Sequence, residues 1–354
     1  MVSAIAAKEK MMAIVQDGHG SADVLKLQEI DRPVVADDRV LVRVRAASVN
    51  ALDWHSVHGG QAVRLIGSLM GQKFNPVRGA DLAGTVEAIG KDVTGLRLGD
   101  EVFGTGRGTF AEYATASQKG LAPKPRQLTF AQAATMGVAA ITALQGLRDR
   151  GQLKPGQRVL INGAGGGVGT FAVQIAKALG ARVTAVTSTR NLEIVRSMGP
   201  DEVVDYTVGD ITKRPERYDV ILDVAANRSF SAMRRLLTPS GRLVVTGAAK
   251  GSMLAVMWRA IVPLVRKRFG NRWLVPFLAS VTREDLLVLK EFADNGKLRP
   301  VIDRQYPLSE TAERQKNAQK LRKVSRSKHQ IPEHNRGDSV EHHEQSTAVR
   351  VEPE

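Results

Sequence analysis

Residues 158–169 read RVLINGAGGGVG, and this run decides the fold. Its first five residues have the unbroken apolar centre of a strand buried on both faces. A glycine-rich stretch follows at once, and residues 170–179 (TFAVQIAKAL) then carry helical spacing. The stretch fits the alanine-first variant of G-x-G-x-x-G, with Ala164, Gly166 and Gly169 in the three places. Such a turn lets main chain approach a pyrophosphate with no Cβ in the way. The helix that opens there aims its N–H groups and positive dipole end at the phosphates. Strand, turn and helix in this order predict a dinucleotide site built from Gly163, Ala164, Gly165, Gly166, Gly167, Val168 and Gly169.

Downstream, a strand over 182–187 (RVTAVT) runs into Thr187-Ser188-Thr189-Arg190-Asn191. A site for the unphosphorylated dinucleotide usually places Asp or Glu there to accept from the ribose hydroxyls. This chain has hydroxyls and an arginine instead, so Ser188 and Arg190 are expected to hold a 2′-phosphate and the cofactor is expected to be NADPH. Ser188 and Thr189 also suit the capping of a helix beginning near Leu192. Residues 218–225 (YDVILDVA) and 242–247 (RLVVTG) read as two more buried strands, and Gly247 is a further cofactor-binding candidate. Buried Val/Ile/Leu strands alternating with helices make a parallel sheet covered on both faces.

Upstream the pattern changes. Residues 39–47 (RVLVRVRAA) alternate apolar and basic, as a half-buried strand does, and 84–90 (GTVEAIG) and 101–104 (EVFG) are further short strands. Closely spaced strands with no long helix between them predict a small barrel. Residues 129–150 are Ala-rich with helical spacing.

A length of 354 residues suits two domains. No stretch approaches the roughly 20 unbroken apolar residues of a membrane span, and residues 1–10 lack the apolar core of a secretory leader. Cysteine is absent. That excludes disulfides, a thiol nucleophile and any Cys-ligated metal centre, and it fits a cytoplasmic address. The net charge of +15 is spread along the chain, so it is read as steering a phosphate-bearing cofactor rather than binding nucleic acid. The apolar run 253–279 is broken at Pro263, Gly270 and Pro276, and packing on a second subunit or over the active site is expected of it. Beyond residue 313 the chain loses its aromatics and is expected to be a disordered tail.

These residues resemble the medium-chain dehydrogenase/reductase superfamily, specifically its zinc-independent quinone oxidoreductase branch. The likeness runs from about Met12 to about Glu313. It passes in order through 47–53 (ASVNALD), 79–90 (GADLAGTVEAIG), 98–104 (LGDEVFG), 108–115 (GTFAEYAT), the 164–169 loop and 296–306 (GKLRPVIDRQY). The resemblance implies an α/β protein with a GroES-like β-barrel domain at 1–128, to which 298–312 return. A Rossmann domain with a doubly wound parallel sheet is expected at 129–297, and the tail at 313–354. The active site is expected in the cleft between the two domains. Asn50 and Asp53 would border its nicotinamide end as the catalytic pair, Thr142 would contact the cofactor, and Tyr206 would reach the 2′-phosphate. Trp54 would form a flat wall for a planar substrate, and the relatives suggest a homodimer.

Within that superfamily, the zinc-dependent branch has Cys where this chain has Asn50, and Gly-His-Glu where it has Gly79-Ala80-Asp81. The four-cysteine structural lobe is absent as well, so a tetrahedral zinc site is not expected. His55 and His58 stand near Asp53, but one short turn rarely supplies three convergent ligands. Without a Lewis acid, alcohol oxidation gives way to hydride delivery onto a carbon already activated by conjugation, in a quinone or an α,β-unsaturated carbonyl. No proton donor is assigned from sequence. The competing reading is a nucleotide-sensing or interaction protein without turnover. It rests partly on the terminus, where Tyr306-Pro307-Leu308-Ser309 leads into polar sequence and the last barrel strand is expected to be missing.

Overall fold

A computed structural model of the chain describes residues 9–18, 22–51, 53, 75–246, 273–313 and 346–350. The chain divides into two compact units, one of residues 1–124, 128–137 and 302–354, the other of 125–127 and 138–301. The break in the Ala-rich segment thus falls at 137/138 rather than at the expected 128/129.

The first unit is β-rich. Strands β1 (Lys10–Gln16) and β2 (Leu25–Asp31) form an antiparallel pair. The long strand β3 (Arg39–Val49) is the centre of the main sheet. It pairs antiparallel with β4 (Asp81–Ile89) and, off the main path, with β6 (Tyr113–Ser117). The sheet continues through β5 (Glu101–Thr105) to β7 (Leu121–Pro123). Val40, Val42 and Val44 of β3 turn the same way and are buried with Leu82, Val86, Phe110 and Leu121, which is what period-two alternation requires. Helix α1 (Phe130–Ala134) starts at a capping box made by Thr129 and Gln132. It stops where the Thr135 hydroxyl donates back to the Gln132 carbonyl.

The second unit is a parallel α/β sheet. Helix α2 (Val138–Gln145) leads to strand β8 (Arg158–Asn162), and helix α3 (Gly167–Ala178) to β9 (Arg182–Thr187). The short helix α4 (Leu192–Arg196) precedes β10 (Glu202–Asp205), which sequence reading did not identify as a strand. After β11 (Tyr218–Asp223) come helix α5 (Phe230–Arg235), β12 (Leu237–Val245), β13 (Leu274–Pro276) and helix α6 (Arg283–Asp294). The strand order is β10-β9-β8-β11-β12-β13 and every pairing is parallel. This is the 3-2-1-4-5-6 order of a doubly wound sheet, with its switch point between β8 and β11.

The expectation for the C-terminus needs correction. Strand β14 (Ile302–Pro307) returns to the first unit as expected, but the sheet does not end there. Strand β15 (Ser346–Arg350) lies between β14, which it meets in parallel, and β3, which it meets antiparallel. The polar composition of the segment concealed a five-residue run, STAVR, with β-branched residues at alternate places. Residues 314–345 and 351–354 of the expected tail lie outside the described residues, as does the run 253–279 up to residue 272. Among the described residues no helix is long and apolar enough to cross a membrane.

Candidate functional site

Two polar groupings carry the candidate residues, one in each unit. In the first unit, β3 ends at Val49 and hands the chain to Asn50, while β4 begins at Asp81 beside it, in register with Ser48. Asp81 is fully buried. The Asn50 side chain donates to Asp81 Oδ2 at 2.9 Å, and the Ser48 hydroxyl lies 3.5 Å from the same oxygen. The Asn50 backbone N–H donates to Asp53 Oδ2 at 2.8 Å, and the Asp53 N–H returns to the Asn50 carbonyl at 3.1 Å. Asp53 is only 4% exposed. Burial pushes its carboxyl up to about 7, against the opposing pull of the Asn50 N–H and the Arg78 charge. Asp53 is therefore a buried carboxyl that binds and releases a proton near neutrality. The structure brings the predicted pair Asn50 and Asp53 together and adds Asp81, which sequence reading treated only as a replaced metal ligand.

The Asn50 amide nitrogen donates to Asp81, so the two side chains face each other as donor and acceptor. Among the described residues no group of three His, Cys, Asp or Glu side chains is arranged to hold a metal. Trp54, His55 and His58 lie outside the described residues.

In the second unit the glycine-rich run leaves the carboxyl end of β8. The N–H groups of Gly163 and Ala164 donate to the Val186 carbonyl of β9 at 3.2 and 2.9 Å, which pins the turn to the neighbouring strand. Gly166 is the N-cap of α3 and supplies no side-chain hydrogen bond to the first-turn N–H groups of the helix. A Cβ on Gly169 would fall inside the Gly163 carbonyl oxygen and 2.7 Å from Ala164 Cα, so the helix can pack on its strand only with glycine at this place. A Cβ on Gly165 would lie 2.5 Å from Asn191 Nδ2 and 2.7 Å from Thr187 Oγ1, so the turn lies close against the end of β9.

The end of β9 beside this turn is rich in hydroxyl groups. Thr187 and Ser188 are 2% and 8% exposed, and each hydroxyl oxygen is buried with no hydrogen-bond partner among the described residues. Ser188 stands at the N-cap of the turn Thr189–Asn191 but makes no capping bond, so the capping role open to it in the sequence is not used. Buried hydroxyls left unmatched cost free energy unless a ligand meets them. Arg190 is exposed beside them, and Tyr206 is half-buried with its N–H on the Thr187 carbonyl at 3.0 Å. Thr142 spends its hydroxyl proton on the Val138 carbonyl of its own helix at 2.7 Å, leaving only lone pairs to offer. Gly247 lies outside the described residues.

Three residues of this unit escaped sequence reading. At the switch point the Asn162 amide donates to Asp223 Oδ1 at 2.8 Å, tying the end of β8 to the end of β11. Asp223 is fully buried, its Oδ2 has no partner among the described residues, and burial pushes its carboxyl up against the opposing Asn162 amide and Ala226 N–H. Asp205, at the end of β10, is in register with Thr187 and accepts from the Thr189 hydroxyl at 2.6 Å. The only sequence signal for these residues was a polar residue at the carboxyl end of an apolar strand, which is where an open parallel sheet builds its site.

The fold has counterparts among known proteins. Residues 36–126 match the family described as alcohol dehydrogenase GroES-like domain, and residues 198–318 the family described as zinc-binding dehydrogenase. The mitochondrial NAD(P)H oxidoreductase RTN4IP1 of Mus musculus is 34% identical, covering 88% of this chain and 87% of its own length. The 2-methylene-furan-3-one reductase of Solanum lycopersicum is 31% identical, covering 87% of this chain and 75% of its own. Among solved structures, the quinone oxidoreductase of Coxiella burnetii superposes with a TM-score of 0.78 at 26% identity, covering 97% of this chain and all of its own. A strand-first polar unit, a doubly wound sheet with a glycine turn at β8, and relatives at this identity over this length agree: the chain is an oxidoreductase of the medium-chain dehydrogenase/reductase superfamily, in its quinone oxidoreductase-like branch.

Proposed function

We propose that this chain uses NADPH to reduce a quinone or an α,β-unsaturated carbonyl, and that it does so without zinc. The observation that carries the reading is Asp53, a buried carboxyl held near 7 and joined through Asn50 to the buried Asp81. Reduction of a conjugated carbonyl needs one hydride at carbon and one proton for the oxygen or the adjoining carbon. When bound, NADPH supplies the hydride. With its carboxyl near 7, Asp53 carries a proton through mildly acidic pH and up to neutrality, which suits a general acid. Asn50 fixes that carboxyl through its N–H, and Asp81 fixes Asn50.

The relatives' names point the same way, one being a quinone oxidoreductase and another acting on a furanone with an exocyclic double bond. Zinc independence is inferred from the residues. Cysteine is absent, and Asn50 faces Asp81 with its donor. Ser188, Thr187 and Arg190 are the residues that would hold the 2′-phosphate, and residues 163–169 the pyrophosphate. A homodimer is carried over from the resemblance, and a cytoplasmic address from the lack of cysteine. The competing idea of a binder without turnover loses the support it drew from a missing strand, since β15 lies beside β3.

The test follows the oxidation of NADPH, and of NADH in parallel, against a benzoquinone, a naphthoquinone and a 2-alkenal, with and without a chelator. Chelator-resistant oxidation favouring NADPH is expected. Tight binding of NADPH with no turnover on any acceptor sinks the enzymatic reading.

A further inference from the structure

The end of β9 lacks the carboxylate that selects NADH, yet the fold delivers one from the next strand. Asp205 closes β10 and is paired in register with Thr187, the last residue of β9. Its Oδ2 accepts from the Thr189 hydroxyl at 2.6 Å. Its Oδ1 accepts from the Thr207 hydroxyl at 2.7 Å and the Thr207 N–H at 2.9 Å. The two threonine oxygens are themselves 2.7 Å apart.

Two hydroxyl protons serve these three oxygen–oxygen contacts, so neither threonine keeps a proton to donate outward. Partial burial alone would raise the Asp205 carboxyl, but the Thr189 and Thr207 bonds outweigh it and hold the group below the usual range. The segment 188–190, offered above as the seat of a 2′-phosphate, thus carries an ionised carboxylate one hydrogen bond behind Thr189. Against a dianionic phosphate such a charge is repulsive. With its proton directed at Asp205, Thr189 Oγ1 is left as an acceptor, which a ribose hydroxyl can use and a phosphate oxygen cannot.

We propose that Asp205 is a specificity-determining residue that opposes Ser188 and Arg190, weakening the preference for NADPH and admitting NADH. The inference rests on the reading of this end of the sheet as the 2′-phosphate site. Replacing Asp205 with Asn removes the charge and also reverses one hydrogen bond. An amide oxygen can still accept from Thr207, while the amide nitrogen donates to Thr189, which frees the Thr189 proton to point at a phosphate.

The test measures dissociation constants of NADPH, NADH and 2′,5′-ADP by fluorescence titration for the full chain, Asp205→Asn, and the double variant Asp205→Asn/Thr189→Val. The single variant is expected to tighten NADPH and 2′,5′-ADP about tenfold at low salt, leaving NADH unchanged or weaker. The double variant is expected to lose part of that gain, because the freed hydroxyl is gone. A NADPH-to-NADH affinity ratio unchanged within twofold in Asp205→Asn overturns the proposal while leaving the cofactor reading intact. A wild-type chain that binds neither dinucleotide overturns both.

Discussion

The side chain of Asn50 donates to the buried Oδ2 of Asp81 at 2.9 Å, and this one bond joins the end of β3 to the start of β4 where the candidate catalytic carboxyl begins. Removing the donor from a buried carboxylate costs more than an ordinary hydrogen bond. Asn50→Ala should lower stability by about 2 kcal/mol in urea unfolding. Asn50→Asp should cost more, because it sets a second carboxylate against Asp81, and the excess should shrink as the pH falls and one of the pair takes a proton. Equal stability of the two variants at neutral pH would count against the contact.

The Asp53 carboxyl gives a pH dependence with a definite sign. Its value rises from 3.8 to about 7 on folding, so the folded chain binds this proton more tightly than the unfolded one. The associated stability is fully present below about 4 and is lost as the pH climbs to about 7, a difference on the order of 4 kcal/mol. Asp53→Asn keeps an acceptor for the Asn50 N–H and carries no charge. Its melting temperature should therefore gain on the wild type between pH 5 and pH 8. If Asp53 is the general acid, wild-type kcat/KM should fall about tenfold per unit above roughly pH 7, and this limb should vanish in the slow Asp53→Asn enzyme.

The glycine turn separates a packing role from a binding role. A Cβ on Gly169 strikes main chain at Gly163 and Ala164, which cannot move without parting α3 from β8. Gly169→Val should cost about 3 kcal/mol of stability and abolish dinucleotide binding. A Cβ on Gly165 comes nearest to side-chain atoms of Asn191 and Thr187 rather than to main chain, so a small shift of the segment 187–191 can admit it. Gly165→Ala should keep its melting temperature within a few degrees yet weaken NADPH about tenfold, a loss of about 1.4 kcal/mol. Fluorescence titration and thermal unfolding on the same samples separate the two cases.

The legible parts were those written in local pattern. The run 158–169 named its strand, turn and helix because apolar periodicity and glycine spacing both sit in consecutive residues. Asn50 and Asp53 were reached only through the family resemblance, and the backbone N–H that joins them is seen in the structure alone. What escaped depends on pairings remote in sequence. Asp81 reaches Asn50 across 31 residues, Asp223 reaches Asn162 across 61, and Asp205 reaches Thr189 across 16 through a parallel register that periodicity does not reveal. β10 is four residues long and only partly buried, so its pattern was too short to read. β15 was missed because its composition is polar and its partners precede it by up to 300 residues.

That last strand supplies a direct test. Ser346–Arg350 fills the place between β14 and β3, with Thr347 opposite Val49, Ala348 opposite Ser48 and Val349 opposite Ala47. Without it β3 loses a partner along the four residues that lead into Asn50, and β14 loses its only neighbour within the described sheet. An unpaired edge of this kind invites pairing with another chain. Deleting residues 346–354 should lower the melting temperature by roughly 5 °C or more and raise light scattering on warming. The substitution Ala348→Pro is the finer probe, since it changes one residue and removes one N–H from the ladder. It should cost about 2 kcal/mol and slow turnover by disturbing Ser48 and Asn50, while leaving NADPH affinity in the second unit unchanged. A truncated chain with wild-type melting and turnover would mean that β15 contributes nothing to the stability of the sheet or to the placing of Asn50.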